Sequence, residues 1–388
     1  MSAPRIGTGI HVPLDRYSPP EAYPAFARAA ADTGSIDWLL LPDQLTSWWP
    51  TSLWTPENTP FASAAPDCDS WPDATAMADY SAATVPDIGY VVSADAVRRG
   101  PAEMYQSMLT LSNLTRGRAL YQIGAGELKQ AKPFGHKRSQ GLSRLEDLFK
   151  AWKFWWDNPG VPLTMEGNHW HLQNASLGGA RQYRPEVWAL GGGPKLVDLA
   201  TTYADGFSTM SPMAWADAEV IAKNIQSMKA ELERKGRDPE AFGFGTWVMC
   251  QIHEDDEVIE RALDNPLVRW MTAAFGRIHQ PDWLKEGFEP IFPADWHYAM
   301  KLLPVEWDAG AAQGIVEQVT PEMGRRAWLT GTPEKIAETI QTYIQAGMNW
   351  ILVGDFLPAV APPEDPSQAI ANSAKVCSLV REAFSTTV

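Results

Sequence analysis

The hydrophobic residues of this chain fall into short apolar runs that alternate with longer segments of helical spacing. The short runs have the length and composition of buried β-strands. They cover residues 5–12, 37–41, 87–93, 119–123, 186–190, 205–209, 242–252 and 349–353. In the longer segments apolar residues recur every three or four positions, which is typical of amphipathic helices. We predict helices over residues 18–31, 74–83, 101–114, 139–156, 195–203, 214–234, 332–346 and 366–383.

Strands that alternate with helices predict an α/β fold with a parallel sheet, because each crossover between parallel strands needs a helix-length connection. Eight such units indicate a single (β/α)8 TIM barrel spanning residues 1–388, and a doubly wound open sheet is the alternative. Three long segments interrupt the alternation, at about 48–73, 157–184 and 264–325. We expect them to be insertions at the C-terminal face of the barrel.

Composition narrows the classes of function. The chain has 388 residues, 45% of them hydrophobic, which is enough for a large core. Its net charge of −15 argues against nucleic acid or an anionic membrane as a partner. The three cysteines are far apart and form no CxxC pair, so we expect neither disulfides nor a metal site. No stretch approaches a membrane span or a signal peptide, and we expect a cytoplasmic protein.

The ends of the predicted strands carry two glycine-rich turns, where a TIM barrel places its active site. One covers residues 124–126 and is followed by Glu127. The other covers residues 191–193 and is followed by Pro194 at a helix start. Exposed N–H groups at this second turn suit a phosphate or the edge of a flat ring, although a tight turn alone also explains the glycines. No G-x-S-x-G elbow is present, which argues against acyl transfer.

Five stretches together resemble the bacterial luciferase-like monooxygenase superfamily, in its branch that uses the deazaflavin coenzyme F420. They are WLLLPDQ at 38–44, RRGPA at 98–102, GRA to GE at 117–127, GGP to YADG at 192–206, and TGTPE at 330–334. The branch includes phthiodiolone ketoreductase-like oxidoreductases. The resemblance implies a homodimeric TIM barrel that transfers a hydride between F420 and a bulky apolar carbonyl, alcohol or activated C=C substrate.

Two other interpretations remain open. The chain resembles FMN-dependent monooxygenases of the same superfamily, which share the barrel and would use FMN in place of F420. It could also be a barrel that binds a flavin or deazaflavin without catalysis. That last interpretation arises because a catalytic residue of the family is replaced here.

The resemblance assigns the catalytic positions. In the family, strand two commonly ends in Asp-His, with a Trp four residues beyond the His. Asp43 and Trp48 match the Asp and the Trp, whereas Gln44 stands in place of the catalytic His. Glu127 matches the Glu that exchanges a proton at the deazaflavin. Because glutamine cannot shuttle a proton near pH 7, we expect Glu127 to act as acid and base and Gln44 to orient. The other possible proton donors are Tyr90, His11 and water.

The resemblance also implies the binding positions. Val91 and Val92 match a backbone bulge, often with a non-prolyl cis peptide, that supports the coenzyme ring. The cofactor-binding set predicted from the strand ends is Asp43, Val91, Val92, Gly124, Ala125, Gly126, Gly191, Gly192, Gly193, Met210 and Ser211. Tryptophans of the insertions would form a lid over the substrate, and Arg326 stands where relatives that bind phosphorylated substrates place an Arg. The substrate set is Trp49, Trp283, Trp296 and Arg326. The Lys that such relatives carry after strand six is absent, so we do not expect a sugar phosphate.

Overall fold

The computed structural model describes residues 7–363, 365 and 367–385. The strands are β1 (Gly7–His11), β2 (Trp38–Pro42), β3 (Gly89–Asp95), β4 (Ala119–Gly124), β5 (Leu163–Glu166), β6 (His171–Ala175), β7 (Glu186–Leu190), β8 (Gly206–Ser211), β9 (Gly243–Ile252), β10 (Leu329–Gly331) and β11 (Trp350–Asp355).

The long helices follow the barrel strands, and shorter ones lie in the connections. They are α1 (Ala22–Asp32), α2 (Phe61–Ala64), α3 (Ala74–Thr84), α4 (Pro101–Leu114), α5 (Leu128–Ala131), α6 (Gly141–Asp157), α7 (Pro194–Tyr203), α8 (Ala218–Arg234), α9 (Asp256–Leu263), α10 (Pro266–Phe275), α11 (Asp282–Lys285), α12 (Tyr298–Lys301), α13 (Ala309–Val316), α14 (Pro321–Ala327), α15 (Pro333–Gln345), α16 (Leu357–Val360) and α17 (Ser367–Ser385). No helix of the described part is long and apolar enough to cross a lipid bilayer.

Eight parallel strands close into a barrel in the order β1, β2, β3, β4, β7, β8, β9, β11, and β11 pairs back with β1. The long strand β9 pairs with β8 on one side and with β11 on the other, which completes the ring. The predicted (β/α)8 barrel is therefore confirmed, and the open sheet is wrong. Residues 5 and 6 of the first predicted strand, and Pro366 of the last predicted helix, lie outside the described residues.

Tryptophan rings fill the interior of the barrel near the start of its strands. Trp188, Trp350 and their neighbours Leu40, Val91, Leu120 and Leu352 form a buried cluster of their own. Glycines make this packing possible: a Cβ on Gly206 would lie 2.5 Å from the Trp188 ring, and one on Gly7 would lie 2.6 Å from Trp350. Paired large and small residues give the interior the close packing that a stable core requires.

Residues of the segments 48–73 and 264–325, together with neighbouring residues such as Trp328, form a second apolar cluster, which we call the loop core. Its buried members include Trp49, Leu53, Trp270, Phe275, Trp283, Phe292, Trp296 and Trp328. Met210 at the end of β8 and Met249 near the end of β9 pack against it, so the loop core lies over the C-terminal ends of these strands. The segment 157–184 contributes the antiparallel β5–β6 hairpin, which packs along α6.

Candidate active site

A buried lysine joins the ends of β2 and β4. The Nζ atom of Lys129 lies 2.6 Å from Gln44 Oε1, 2.7 Å from the Thr46 carbonyl oxygen and 3.1 Å from Glu127 Oε2. Its side chain is only 2% exposed, and this burial lowers the pKa of Lys129, while the Glu127 carboxylate opposes the shift. The ammonium thus connects the two positions that the sequence assigned to catalysis.

Glu127 stands in the turn between β4 and α5, with 18% of its side chain exposed. Its Oε1 atom accepts a hydrogen bond of 3.4 Å from Trp48 Nε1, and the Lys129 ammonium lies 4.4 Å from the centre of the Trp48 ring. The structure therefore brings together the three predicted catalytic residues, Glu127, Gln44 and Trp48. Lys129 was missed from the sequence, where its only signal was a cation two residues beyond Glu127.

Asp43 is held in an ion pair beneath this cluster. Arg98 Nη2 lies 3.1 Å from Asp43 Oδ2, Arg98 Nε lies 2.5 Å from Asp95 Oδ2, and Arg99 Nη2 lies 3.5 Å from Asp43 Oδ1. Burial raises the pKa of Asp43, and the two arginines counteract that rise. The Asp43 carboxylate, predicted to contact the cofactor, is thus engaged with protein groups that fix the start of the loop carrying Gln44.

The two glycine-rich turns differ in what they accommodate. Gly126 has φ +89°, and a Cβ there would lie 2.5 Å from Val97 Cγ2. Gly191 has φ +148°, and a Cβ there would lie 2.6 Å from Leu196 Cδ2. By contrast, no atom lies within 4 Å of a Cβ built on Gly192 or Gly193, which are exposed at the start of α7. That open space beside an uncapped helix N-terminus fits a phosphate-bearing ligand.

The remaining predicted cofactor contacts lie on strands whose side chains alternate between the two faces of the barrel wall. Val91 points into the barrel and Val92 packs on its outer side. β3 pairs in continuous register with both neighbours, and the cis peptide bond of the described residues is Ser211–Pro212, so the predicted bulge at Val91–Val92 is wrong. The Ser211 hydroxyl accepts a hydrogen bond of 2.9 Å from Thr246 within the wall.

The predicted substrate residues are distributed over the loop core. Trp283 is 0% exposed, and Trp49 and Trp296 are also buried, with their indole nitrogens bonded to the carbonyl oxygens of Leu267 and Ala274. Arg326 is exposed on α14 and has no ion-pair partner within the described residues. Trp49 makes an edge contact with Trp48, with the ring centres 6.1 Å apart, and the substrate roles of all four side chains remain predictions.

A different aromatic group lies beside the Trp48 and Glu127 cluster. Trp71 and Phe275 make edge contacts with Trp48, with ring centres 5.7 and 6.5 Å apart. The ring centres of Phe275 and Tyr298 are 4.2 Å apart. Burial raises the pKa of Tyr298, and the Glu127 carboxylate raises it further, so Tyr298 stays a neutral phenol at physiological pH. Trp71, Phe275 and Tyr298 all lie in segments predicted to be insertions, at about 48–73 and 264–325, although none of them was among the predicted site residues.

The other proposed proton donors are less suitable. Tyr90 points away from the barrel interior, and its hydroxyl donates to the Val85 carbonyl oxygen at 3.0 Å. Burial lowers the pKa of His11 to about 4, so this side chain is neutral near pH 7. Arg138, which the sequence analysis missed, is half-buried with an unpaired Nε atom and has no ion-pair partner in the described part of the chain.

A cavity of about 200 Å³ lies at a different place in the barrel. Its lining includes Val187 and Asp205, which stand at the starts of β7 and β8, at the opposite end of the barrel from Glu127. Its charged groups are engaged with protein atoms: Arg184 pairs with Asp205 and Lys153 with Asp157, while Arg237 donates to backbone carbonyl oxygens. The Glu127 cluster at the other end of the barrel remains the candidate site.

Comparisons with known proteins found similar sequences and similar folds. A phthiodiolone/phenolphthiodiolone dimycocerosates ketoreductase from Mycobacterium kansasii is 27% identical over 331 residues, covering 84% of this chain and 88% of the relative. An F420-dependent secondary alcohol dehydrogenase, solved with an F420-acetone adduct, superposes with a TM-score of 0.72 at 17% identity, covering 97% of this chain and 99% of the other. The oxygenating constituent of 3,6-diketocamphane monooxygenase from Pseudomonas putida, solved with FMN, has a TM-score of 0.60 at 16% identity, covering 97% and 98%.

At these identities the two solved structures show a shared fold. The family itself is shown by a separate match: the model of the luciferase-like monooxygenase family covers residues 5–349 of this chain. This confirms the resemblance predicted from the strand-end motifs. The chain belongs to the luciferase-like monooxygenase family.

Proposed function

We propose that this protein is an F420-dependent oxidoreductase that transfers a hydride between the deazaflavin and a bulky apolar carbonyl, alcohol or activated C=C compound. The observation that carries the proposal is the Glu127 carboxylate, held between Lys129 and Trp48 at the strand ends, beside a glycine turn. The names of the ketoreductase relative and of the F420-dependent alcohol dehydrogenase support it.

The residues at the strand ends fit a deazaflavin coenzyme. Gly192 and Gly193 leave room for its phosphate-bearing tail at the N-terminus of α7. The turn 124–126 would lie against its ring, because a Cβ-free backbone permits close approach. When bound, the deazaflavin supplies or accepts the hydride. Glu127 then gives or takes the proton at the substrate oxygen or carbon, and Trp48 holds the carboxylate in place.

The surroundings of Glu127 favour an uncharged substrate. Trp48, Trp71, Phe275 and Tyr298 form an aromatic wall beside the carboxylate. An apolar wall with a few fixed polar groups is typical of sites that bind hydrophobic small molecules. We further propose, by analogy with the family, that the protein acts as a homodimer in the cytoplasm.

An FMN-dependent monooxygenase is the second candidate. The specific observation in its favour is the likeness to an oxygenase solved with FMN, because the same open turn at Gly192 and Gly193 would suit the FMN phosphate. A barrel that binds the cofactor without catalysis is the third candidate, since Gln44 cannot exchange a proton.

Competitive titration separates the three candidates. The purified protein is titrated with F420 and with FMN, and binding is followed by quenching of tryptophan fluorescence. We expect F420 to bind at least about tenfold more tightly, and the loaded protein to turn over members of a panel of apolar ketones and alcohols. Tighter FMN binding with oxygen uptake would favour the monooxygenase. F420 binding without turnover on the whole panel would favour the non-catalytic barrel.

A further inference from the structure

The orientation of the side-chain amides of Gln44 and Gln130, meaning which end is oxygen and which is nitrogen, is fixed by their neighbours. The backbone N–H of Leu45 donates to Gln130 Oε1 at 2.7 Å, so Gln130 Nε2 faces the other way. It donates to Gln44 Oε1 and, at 3.0 Å, to the Thr46 carbonyl oxygen. A backbone N–H can only donate, so the oxygen and nitrogen of Gln130 cannot be exchanged.

Lys129 fixes the same amide independently. Its ammonium lies 2.6 Å from Gln44 Oε1, and an ammonium has no lone pair to offer to an amide N–H. Two separate donors, Lys129 and Gln130, therefore require an oxygen at that position of Gln44. Amide orientations are often ambiguous, but here the chemistry of the donors determines the orientation.

The Gln44 Nε2 group remains unused. Among the described residues the hydrogen bonds of the Gln44 side chain both fall on its oxygen, and the side chain is half-buried, so Nε2 can reach solvent or a ligand. Its oxygen is already occupied by two donors, so Gln44 can offer a ligand only N–H groups. The same Lys129 ammonium also holds Glu127, which places this donor within the candidate site.

We propose that Lys129 and Gln130 are positioning residues that hold Gln44 as a fixed hydrogen-bond donor to the oxygen atom of the substrate. The inference rests on the proposed function and narrows its substrates to compounds whose oxygen accepts a hydrogen bond beside the reacting carbon, with a ketone as the simplest class. The donor also stabilises the negative charge that develops on a carbonyl oxygen during hydride addition. The Gln44 amide itself carries no titrating proton.

Binding of a matched pair of ligands tests the proposal without turnover. The probes are 2-octanone and octane, which differ by one carbonyl oxygen, titrated against the protein with and without F420 and followed by tryptophan fluorescence. We expect the wild type to prefer the ketone by about tenfold, the contribution of one good hydrogen bond. Gln44→Glu keeps an oxygen for Lys129 but presents a second acceptor to the ligand. It should lose the preference while octane affinity stays unchanged.

Variants of the two positioning residues test their role. Lys129→Met and Gln130→Leu should each reduce the ketone preference in part, and the double variant should abolish it. Lys129→Arg should restore most of it, because the guanidinium also donates. Lys150→Met is the matched control, since Lys150 lies on α6 in an ion pair of 2.6 Å with Glu146. Octane affinity reports any general damage to the site.

The outcomes are separable. A wild type without preference for 2-octanone, or a Gln44→Glu variant that keeps it, would overturn the proposed donor. A preference that persists in the Lys129→Met/Gln130→Leu double variant would overturn the positioning role. Failure of F420 to bind, with the ketone preference intact in the free protein, would overturn the proposed function and leave the donor supported.

Discussion

The ammonium nitrogen of Lys129 lies 3.1 Å from Oε2 of Glu127, and the lysine side chain is almost completely buried. Such a pair is sensitive to the loss of either partner, because the remaining charge stays in a poorly hydrated position. The site thus combines the Glu127 carboxylate, the Lys129 ammonium and the Gln44 amide, whose orientation is fixed. The predictions below test the pair, the carboxylate, the glycines and one titrating side chain.

The Lys129–Glu127 pair should show coupling in folding stability. We expect Lys129→Met and Glu127→Gln each to lower the free energy of unfolding by about 1–3 kcal/mol. The double variant should cost at least about 1 kcal/mol less than the sum of the two. Urea denaturation gives the free energy of unfolding of the wild type, the two single variants and the double variant. The exposed pair Lys153–Asp157, 2.8 Å apart on α6, is the control and should couple by only about 0.3–0.5 kcal/mol.

Glu127→Gln should reduce turnover on an accepted ketone or alcohol by about 10²-fold or more, because the amide cannot exchange the proton. Steady-state kinetics with F420 in excess provides the measurement. Glu146→Gln makes the same chemical change on α6 and should leave the rate unchanged. A Glu127→Gln enzyme within twofold of the wild type would refute the acid–base role.

Neighbouring glycines should separate folding from cofactor binding. Gly192→Ala adds a methyl group into open space, so the free energy of unfolding should change by less than about 0.5 kcal/mol. F420 affinity should nevertheless fall by about tenfold, because the methyl group would lie against the bound coenzyme. Gly191→Ala should instead destabilise the fold, since φ is +148° and Leu196 lies 2.6 Å from the new atom. Unchanged F420 affinity in Gly192→Ala would show that the coenzyme does not bind against this turn.

The interior of the barrel should not tolerate added volume. Gly206→Ala would place a methyl group 2.5 Å from the Trp188 ring, and we expect a loss of about 1–3 kcal/mol in the free energy of unfolding. Trp188→Phe in the same protein should recover part of that loss by making room. Gly314→Ala in α13 meets no atom within 4 Å and should be neutral or stabilising. Thermal unfolding monitored by circular dichroism compares the four proteins.

Asp355 should make the stability of the protein depend on pH. Burial raises the pKa of its carboxyl group to about 7, while Oδ1 accepts N–H bonds from Ile252 and Leu357. The folded state therefore disfavours the ionised form. Its contribution is most favourable below the unfolded pKa of about 3.9 and is lost as the pH rises towards 7.

Asp355→Asn keeps the acceptor oxygen but cannot ionise. Relative to the wild type, this variant should be nearly neutral in stability at pH 4. At pH 8 it should be more stable, by at most about 4 kcal/mol. Urea denaturation across this range makes the comparison. A difference between variant and wild type that does not change with pH would contradict the assignment of Asp355.

Local signals in the sequence were sufficient for the elements of the barrel. Pro101 at the first position of α4 fixed its start, and the predicted range 101–114 matches the structure. The apolar runs located all eight barrel strands, because a buried parallel strand must be hydrophobic on both faces. The resemblance to the luciferase-like family pointed to Gln44, Trp48 and Glu127, and the structure brings these three side chains together around Lys129.

The tertiary structure decided which side chains meet. Lys129 contacts Gln44 across 85 positions of sequence, so no local pattern could assign it. The register of the closed sheet puts the Val92 side chain on the outer side of the barrel and the Ser211 hydroxyl against Thr246, while contact of either residue with the cofactor stays a prediction. The sequence by itself determined the elements of the barrel, because periodicity and composition are local, and its resemblance to the family pointed to the groups at the strand ends. Only the closed barrel decided that Lys129 holds Glu127 and Gln44 together, because burial and long-range contacts arise when distant strands pack.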